Sequence, residues 1–417
     1  MDTGAFALLS LTILAFSLVS KRLEMSLVTP PMVFTLVGIA LGVLGAVHTE
    51  TESELIKLLA EFTLILVLFT DAMRLDFSAF RAEYNLAARL LGIGLPLTIA
   101  LGAIVAFYMF PELGLLEAAL LASVLAPTDA ALGLAVVSNP RVPVRIRQTL
   151  NVESGLNDGI ALTVVLFFIA AVAAEGAGRG SAEWVNIVTL QLVLGPLIGG
   201  AVGFAGASVI DNADEKGWIS PVFSRISTLA LALLAYSLAE MAGSNGFISV
   251  FVAGILIGYS SKGRVCRSLF VFVEAEGQLL TLLVFIAFGA TMVVPFWDAF
   301  TWRTLAYALL SLTLIRMLPA SLSLFGTGLR WQTVHFLSWF GPRGIASIIY
   351  GLLLYDEGLP QSDTLFPTIV LTVLLSTFLH GMSAAPLADL YGKAIERIRE
   401  HEEHPELQVV PELPLRH

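Results

Sequence analysis

The sequence predicts an all-α polytopic membrane protein of about thirteen transmembrane helices, built as two inverted six-helix repeats with broken crossing helices at positions five and twelve. Three observations carry that expectation. Of 417 residues, 57% are hydrophobic and only 13% charged, against about 25% charged in a soluble domain, and the mean hydropathy is +0.85. Apolar stretches recur from end to end, each long enough to cross a hydrocarbon core of roughly 30 Å as a helix. Basic residues gather in every second connection, as they do on the cytoplasmic side of a membrane.

In order, the spans are read at residues 5–20, 28–46, 54–72, 86–110, 115–137, 148–174, 185–210, 226–241, 245–260, 269–292, 303–325, 332–353 and 364–389. The first follows Met1-Asp2-Thr3, which lacks the basic region of a cleavable signal, and precedes Lys21-Arg22, so it reads as a retained span. Connections after odd-numbered spans carry Lys21, Arg22, Arg74, Arg81, Arg141, Arg145, Arg147, Lys216, Arg225, Lys262, Arg264, Arg267 and Arg330. Those after even-numbered spans run His48-Thr49-Glu50-Thr51-Glu52 and Tyr355-Asp356-Glu357, with Arg179 and Arg303 as their main basic residues. The bias places the N-terminus outside and the C-terminal tail, with Lys393, Arg397 and Arg399, in the cytoplasm.

The fifth span is interrupted by Ala126-Pro127-Thr128-Asp129 and the twelfth by Gly341-Pro342-Arg343-Gly344. A proline inside a helix removes one hydrogen bond and clashes with the preceding turn. Ordinary proline kinks are common in membrane helices, but here a charged residue accompanies each break. Broken helices at matched places of two inverted halves point to a central ion site.

The net charge of −10 reflects acidic loops and an acidic tail and carries no nucleic-acid signal. A single cysteine, Cys266, excludes an intramolecular disulfide. No cofactor motif is present, and an enzyme is not expected: Ser154 has no histidine at helical spacing, and His-Glu-x-x-His does not occur.

Ionisable side chains at membrane depth need a partner or a task. Asp71, Arg89, Asp129, Glu153, Asp158, Arg316 and Arg343 are the clear cases. The densest group is Asn151-Val152-Glu153-Ser154-Gly155-Leu156-Asn157-Asp158-Gly159 in the sixth span. On a helix Ser154 and Asp158 share a face, while Glu153 and Asn157 share the adjoining stripe. A hydroxyl and a carboxylate then line up as oxygen ligands, and Asp129 with backbone carbonyls near Thr128 would complete an all-oxygen site for a hard cation. The plainer reading pairs all these carboxylates with the three arginines. Four acidic groups face three basic ones, however, and Arg89 lies at the mouth of its helix, so the count leaves a carboxylate over. Asp158, set among small residues, is the choice for the group that exchanges a proton for a cation.

The competition has a simple basis. At 4 Å and an effective dielectric of about 20, a cation attracts a carboxylate by roughly 4 kcal/mol, equivalent to about three pKa units. Proton and cation therefore exclude each other from one site, which suffices for exchange when the loaded forms alternate access. A cation channel would use the same carboxylates but needs a continuous pore. An organic-solute transporter would present aromatic and amide groups at the breaks, where this chain has small residues and carboxylates.

Pro127-Thr128-Asp129, the run from Glu153 to Gly159, Arg316, and Gly341-Pro342-Arg343-Gly344 together resemble the NhaP-type sodium/proton antiporters of the monovalent cation/proton antiporter-1 family, relatives of the animal sodium/proton exchangers. The resemblance implies exchange of a monovalent cation, Na+ or Li+ first and K+ as the alternative, for H+ by alternating access. It implies Asp158 as the essential carboxylate, with Asp129, Ser154 and the Thr128 carbonyl near the cation, Glu153 held by Arg316, and Asn157 and Arg343 in supporting places. Asn157, where electrogenic relatives carry a second aspartate, matches the electroneutral branch. It also implies a homodimer in the inner membrane of a prokaryote, surrounded by lipid, with no cofactor beyond the transported ions. The chain would then divide into scaffold helices 1–3 (residues 1–84), core helices 4–6 with the ion site (85–174), linker helix 7 and scaffold helices 8–10 (175–292), core helices 11–13 (293–390) and a short tail (391–417). Asp71 is expected at a helix end or pore mouth, and His380 as a hydrogen-bonded packing histidine.

Overall fold

The computed structural model describes residues 3–23, 26–46, 49–73, 85–129, 132–176, 181–260, 277–356, 361–399, 404–408 and 410. His48, Arg74, Arg81, Arg179, Lys262, Arg264, Cys266, Arg267, Glu357 and the last residues of the tail lie outside them. Among the described residues there are fifteen helices and no strand. They are α1 (Thr3–Leu23), α2 (Pro30–Val43), α3 (Thr49–Met73), α4 (Asn85–Met109), α5 (Leu115–Val124), α6 (Leu134–Val137), α7 (Val144–Gly176), α8 (Ser181–Glu215), α9 (Pro221–Met241), α10 (Gly246–Ser260), α11 (Gly277–Val293), α12 (Trp302–Ser323), α13 (Trp331–Trp339), α14 (Ile345–Asp356) and α15 (Ser362–Arg399). Six of them, α4, α7, α8, α9, α12 and α15, are long and apolar enough to cross a membrane, and α2, α5, α10, α11 and α14 are shorter apolar helices.

The helices fall on the thirteen segments read from the sequence, with the fifth divided into α5 and α6 and the twelfth into α13 and α14. Some boundaries differ. Residues 49–53, read as a loop, are the first turn of α3, and acidic residues are favoured at that positive end of a helix. The last span continues without a stop from Ser362 to Arg399, ten residues beyond its expected end at 389.

The chain forms two compact units. The first comprises Met1–Ala60, Leu86–Asn157 and Thr281–His417, and holds both broken segments. Within it α2 and α11 touch backbone to backbone, because a Cβ at Gly38 or Gly42 would strike the main chain at Ile286 or Ala290. Small residues at such contacts are what helix packing in lipid requires, since apolar side chains gain little by leaving an apolar solvent. In α4, Pro96 has no N–H to give the Gly92 carbonyl, and the helix widens into a π-turn over Leu90–Gly94. In α12 the helix is interrupted at Thr313 (φ −112°, ψ −94°) and resumes with Arg316 in its next turn.

The second unit comprises Glu61–Asn85 and Asp158–Leu280. Its centre is α10, which meets α8 across Gly199 and Gly203 and meets α3 across its own Gly254 and Gly258. Gly159, in α7, leaves room for the ring of Phe251. Asp71 is buried here, two residues before the end of α3, which agrees with its expected place near a helix end.

Candidate functional site

Both proline breaks lie in the first unit, and each must dispose of backbone groups that a helix would have paired internally. After α5, residues Ala126–Asp129 leave the helical path; between α13 and α14, Phe340–Gly344 do the same. The two breaks bond to each other. The Asp129 N–H donates to the Pro342 carbonyl at 2.8 Å, and the Ile345 N–H donates to Asp129 Oδ2 at 2.9 Å. Asp129 thus caps the first turn of α14, where a carboxylate meets the positive end of the helix dipole. Gly344 permits this, since a Cβ there would overlap the Asp129 carboxyl group.

Several other carbonyls at the breaks are also bonded. Arg343, fully buried, donates through Nη1 to the carbonyls of Gly341 (2.9 Å), Ala126 (3.3 Å) and Pro127 (3.5 Å). The Ser347 hydroxyl donates to the Val124 carbonyl at 2.8 Å. On α7, Ser154 Oγ donates to the Thr128 carbonyl at 2.7 Å, and the Asn157 amide donates to the Thr128 hydroxyl. Thr128 is therefore held from α7 through both its main chain and its side chain.

Glu153 and Arg316 form a buried ion pair, Nη2 to Oε1 at 2.6 Å, with side chains 3% and 1% exposed. Gly341 lies against that guanidinium, leaving no room for a side chain. Asp158 is buried on α7 one helical turn beyond Ser154 and belongs to the second unit.

A cavity of about 10 Å³, room for about one water-sized sphere, lies among Thr128, Asp129, Ser154, Leu150, Phe340 and Pro342. Three of the four residues expected near a cation line it. Its polar side chains all carry oxygen, a carboxylate and two hydroxyls, the ligand type of a hard cation.

His380 stands as the sequence suggested for a packing histidine. It is buried on α15, stacked on Trp339 with ring centroids 4.8 Å apart, and bonded to the Trp339 carbonyl and to Ser376. Arg89 donates to the carbonyls of Ser323 and Phe325, at the C-terminal end of α12. Sequence reasoning did not find Ser376, whose hydroxyl accepts the Arg343 N–H at 2.6 Å. One signal was available: Ser376 and His380 are four residues apart in the thirteenth segment, the spacing of Ser154 and Asp158 in the sixth. Nor did the sequence point to any residue of the tail. Beyond α15, Pro405–Leu407 form a 3-10 turn, and Glu406 is buried, accepting the Arg330 N–H at 2.8 Å and the Thr333 hydroxyl at 3.1 Å.

Known proteins are similar to this chain over most of its length. The chain is 26% identical over 381 residues to a protein of Alkalimonas amylolytica named K(+)/H(+) antiporter NhaP, covering 89% of this chain and 63% of that one. It is 28% identical over 385 residues to the Na(+)/H(+) antiporter NhaP of Pseudomonas aeruginosa, covering 85% and 88%. It spans less than two thirds of the length of the first of these relatives. Its fold matches that of the sodium proton antiporter MjNhaP1 from Methanocaldococcus jannaschii, with a TM-score of 0.73 at 20% identity over 93% of this chain and 97% of that one. The family model described as "Sodium/hydrogen exchanger, transmembrane" matches residues 7–390, and the chain belongs to that family of multi-pass membrane transporters.

Proposed function

We propose that this chain exchanges a monovalent cation, Na+ or Li+, for protons across the membrane by alternating access, one for one. The observation that carries the reading is the cavity lined by Thr128, Asp129 and Ser154, with Asp158 one turn farther along α7. In this reading Asp158 binds either a proton or the cation, and Thr128, Asp129 and Ser154 supply the other cation oxygens. Glu153 and Arg316 stay paired throughout, and Asn157 keeps Thr128 in place. The cycle moves no net charge, because Asn157 does not ionise, Glu153 is neutralised by Arg316, and Asp129 remains ionised on the N-terminus of α14. The protein works as a homodimer in the inner membrane of a prokaryote, N-terminus outside and C-terminus in the cytoplasm. Helices 4 to 6 and 11 to 13 of the thirteen move against the rest.

A second reading, K+ in place of Na+ or Li+, is favoured by one observation: relatives from Alkalimonas and Shewanella carry the name K(+)/H(+) antiporter. Selectivity among these ions depends on small differences in cavity size and dehydration. Proton efflux from acid-loaded proteoliposomes on addition of NaCl, LiCl or KCl separates the readings. A response to Na+ or Li+ supports the first, a response to K+ alone supports the second, and no response to any of the three refutes both.

A further inference from the structure

α15 grips the second proline break at both of its lips. Ser376 and His380 stand one turn apart on that helix, and both are buried. His380 Nε2 lies 3.1 Å from the Trp339 carbonyl, at the end of α13, and Nδ1 lies 3.1 Å from Ser376 Oγ. A neutral imidazole has one donor and one acceptor. With Nε2–H donating to the Trp339 carbonyl, Nδ1 accepts from the Ser376 hydroxyl, whose oxygen is then free to accept the Arg343 N–H at 2.6 Å. The two side chains therefore fix Trp339, just before Phe340–Gly344, and Arg343 within it.

That break in turn locates Asp129. The Pro342 carbonyl, one residue from Arg343, receives the Asp129 N–H, and the Ile345 N–H, two residues on, holds the Asp129 carboxylate. The bonds His380–Ser376, Ser376–Arg343 and Ile345–Asp129 are buried, the His380–Trp339 bond is partly buried, and all of them lie within the first compact unit. Thr372, one turn from Ser376 on the same helix, differs: its hydroxyl returns to the Thr368 carbonyl of its own helix at 2.6 Å.

We propose that Ser376 and His380 are positioning residues for the cation site, a clamp on the α13–α14 break that sets where the Asp129 carboxylate stands and hence how tightly the cation is held. The clamp touches no ion itself. It rests on the exchange function proposed above. Its loss weakens cation binding and leaves the turnover rate of the saturated transporter largely unchanged.

The test measures initial exchange rates against cation concentration in proteoliposomes, with melting of the purified protein alongside. Ser376→Ala should raise the KM for the transported cation about tenfold, the equivalent of one buried hydrogen bond, with the maximal rate within about twofold of wild type. Ser376→Cys, similar in size but a weaker acceptor, should fall between the two. It also serves should the alanine variant not fold. Thr372→Val should keep a wild-type KM. A KM within about twofold of wild type in both Ser376 variants, or an equal rise in Thr372→Val, overturns the clamp while leaving the exchange reading intact. A wild-type chain that exchanges none of Na+, Li+ and K+ overturns both.

Discussion

Replacing Glu153 by Leu and Arg316 by Met, singly and together, separates a paired charge from an independent contribution to stability. The pair is almost wholly enclosed, with side chains 3% and 1% exposed, and it has one close contact, Nη2 to Oε1 at 2.6 Å. Its other atoms are poorly served: Glu153 Oε2 and Arg316 Nε have no hydrogen-bond partner among the described residues. Attraction across a single contact then does little more than offset the desolvation of both ions, so removing the pair as a unit should change stability by less than about 2 kcal/mol. Removing one ion strands the other in a low-dielectric interior and should cost about 3–5 kcal/mol. The apolar replacements roughly preserve volume, which keeps cavity formation out of the comparison. Reversible unfolding in detergent, by denaturant at fixed temperature, yields the four free energies of the cycle. The expected coupling is at least about 3 kcal/mol, with the double variant more stable than either single one. Losses that add to within about 0.5 kcal/mol would show that the two residues are not partners and would refute the reasoning.

Asp158→Asn should abolish cation-driven proton movement while the protein still folds, because the amide keeps the shape but neither releases a proton nor neutralises a cation; sustained exchange by this variant removes Asp158 from the mechanism. In liposomes holding a pH gradient, a potential imposed with an ionophore for a non-substrate ion should leave the initial rate unchanged, and a rate that follows the potential rejects one-for-one exchange. Cysteines at Ser138 and at Glu52, in a Cys266-free background, should be labelled from the cytoplasmic and external sides respectively; labelling of both from one side reverses the topological argument. Glu406→Ala should cost about 2 kcal/mol in detergent unfolding through loss of its bonds to the Arg330 N–H and the Thr333 hydroxyl. An unchanged midpoint would mean that the turn at Pro405–Leu407 contributes nothing to the fold.

What could be read in the sequence was whatever depends on local chemistry. Pro127 and Pro342 announce their breaks because a proline withdraws a donor wherever it stands in a helix. Ser154 and Asp158 share a face because four residues make about one turn. The features that escaped depend on partners distant in sequence. Thr313 has nothing in its neighbourhood to mark it as the interruption of α12, three residues before Arg316. Asp129 read as a cation ligand; that its carboxylate also accepts a backbone N–H shows only in the fold, where Ile345, 216 positions away in the chain, lies within 2.9 Å. In the short acidic tail no local pattern distinguishes Glu406 from the other acidic residues around it. Only the facing end of α13 does so.

The arginines divide in a way that bears on where a cation can stand. Arg316 meets a carboxylate, whereas Arg89 and Arg343 donate to carbonyl oxygens. Lipid cannot satisfy the carbonyls that a broken helix releases, and each left bare would cost several kcal/mol. Arg343 meets that demand at Ala126, Pro127 and Gly341 with one fixed guanidinium, through Nη1 alone. Those oxygens are then closed to a second positive charge: at 4 Å and an effective dielectric of about 20, two cations repel by roughly 4 kcal/mol. On the other side of the break the Thr128 carbonyl is bonded to a neutral hydroxyl, and the Asp129 carboxylate brings a negative charge to the same cavity. In the exchange proposed above, Arg343 would thus act as a permanent internal cation that leaves to the transported one the face lined by Thr128, Asp129 and Ser154.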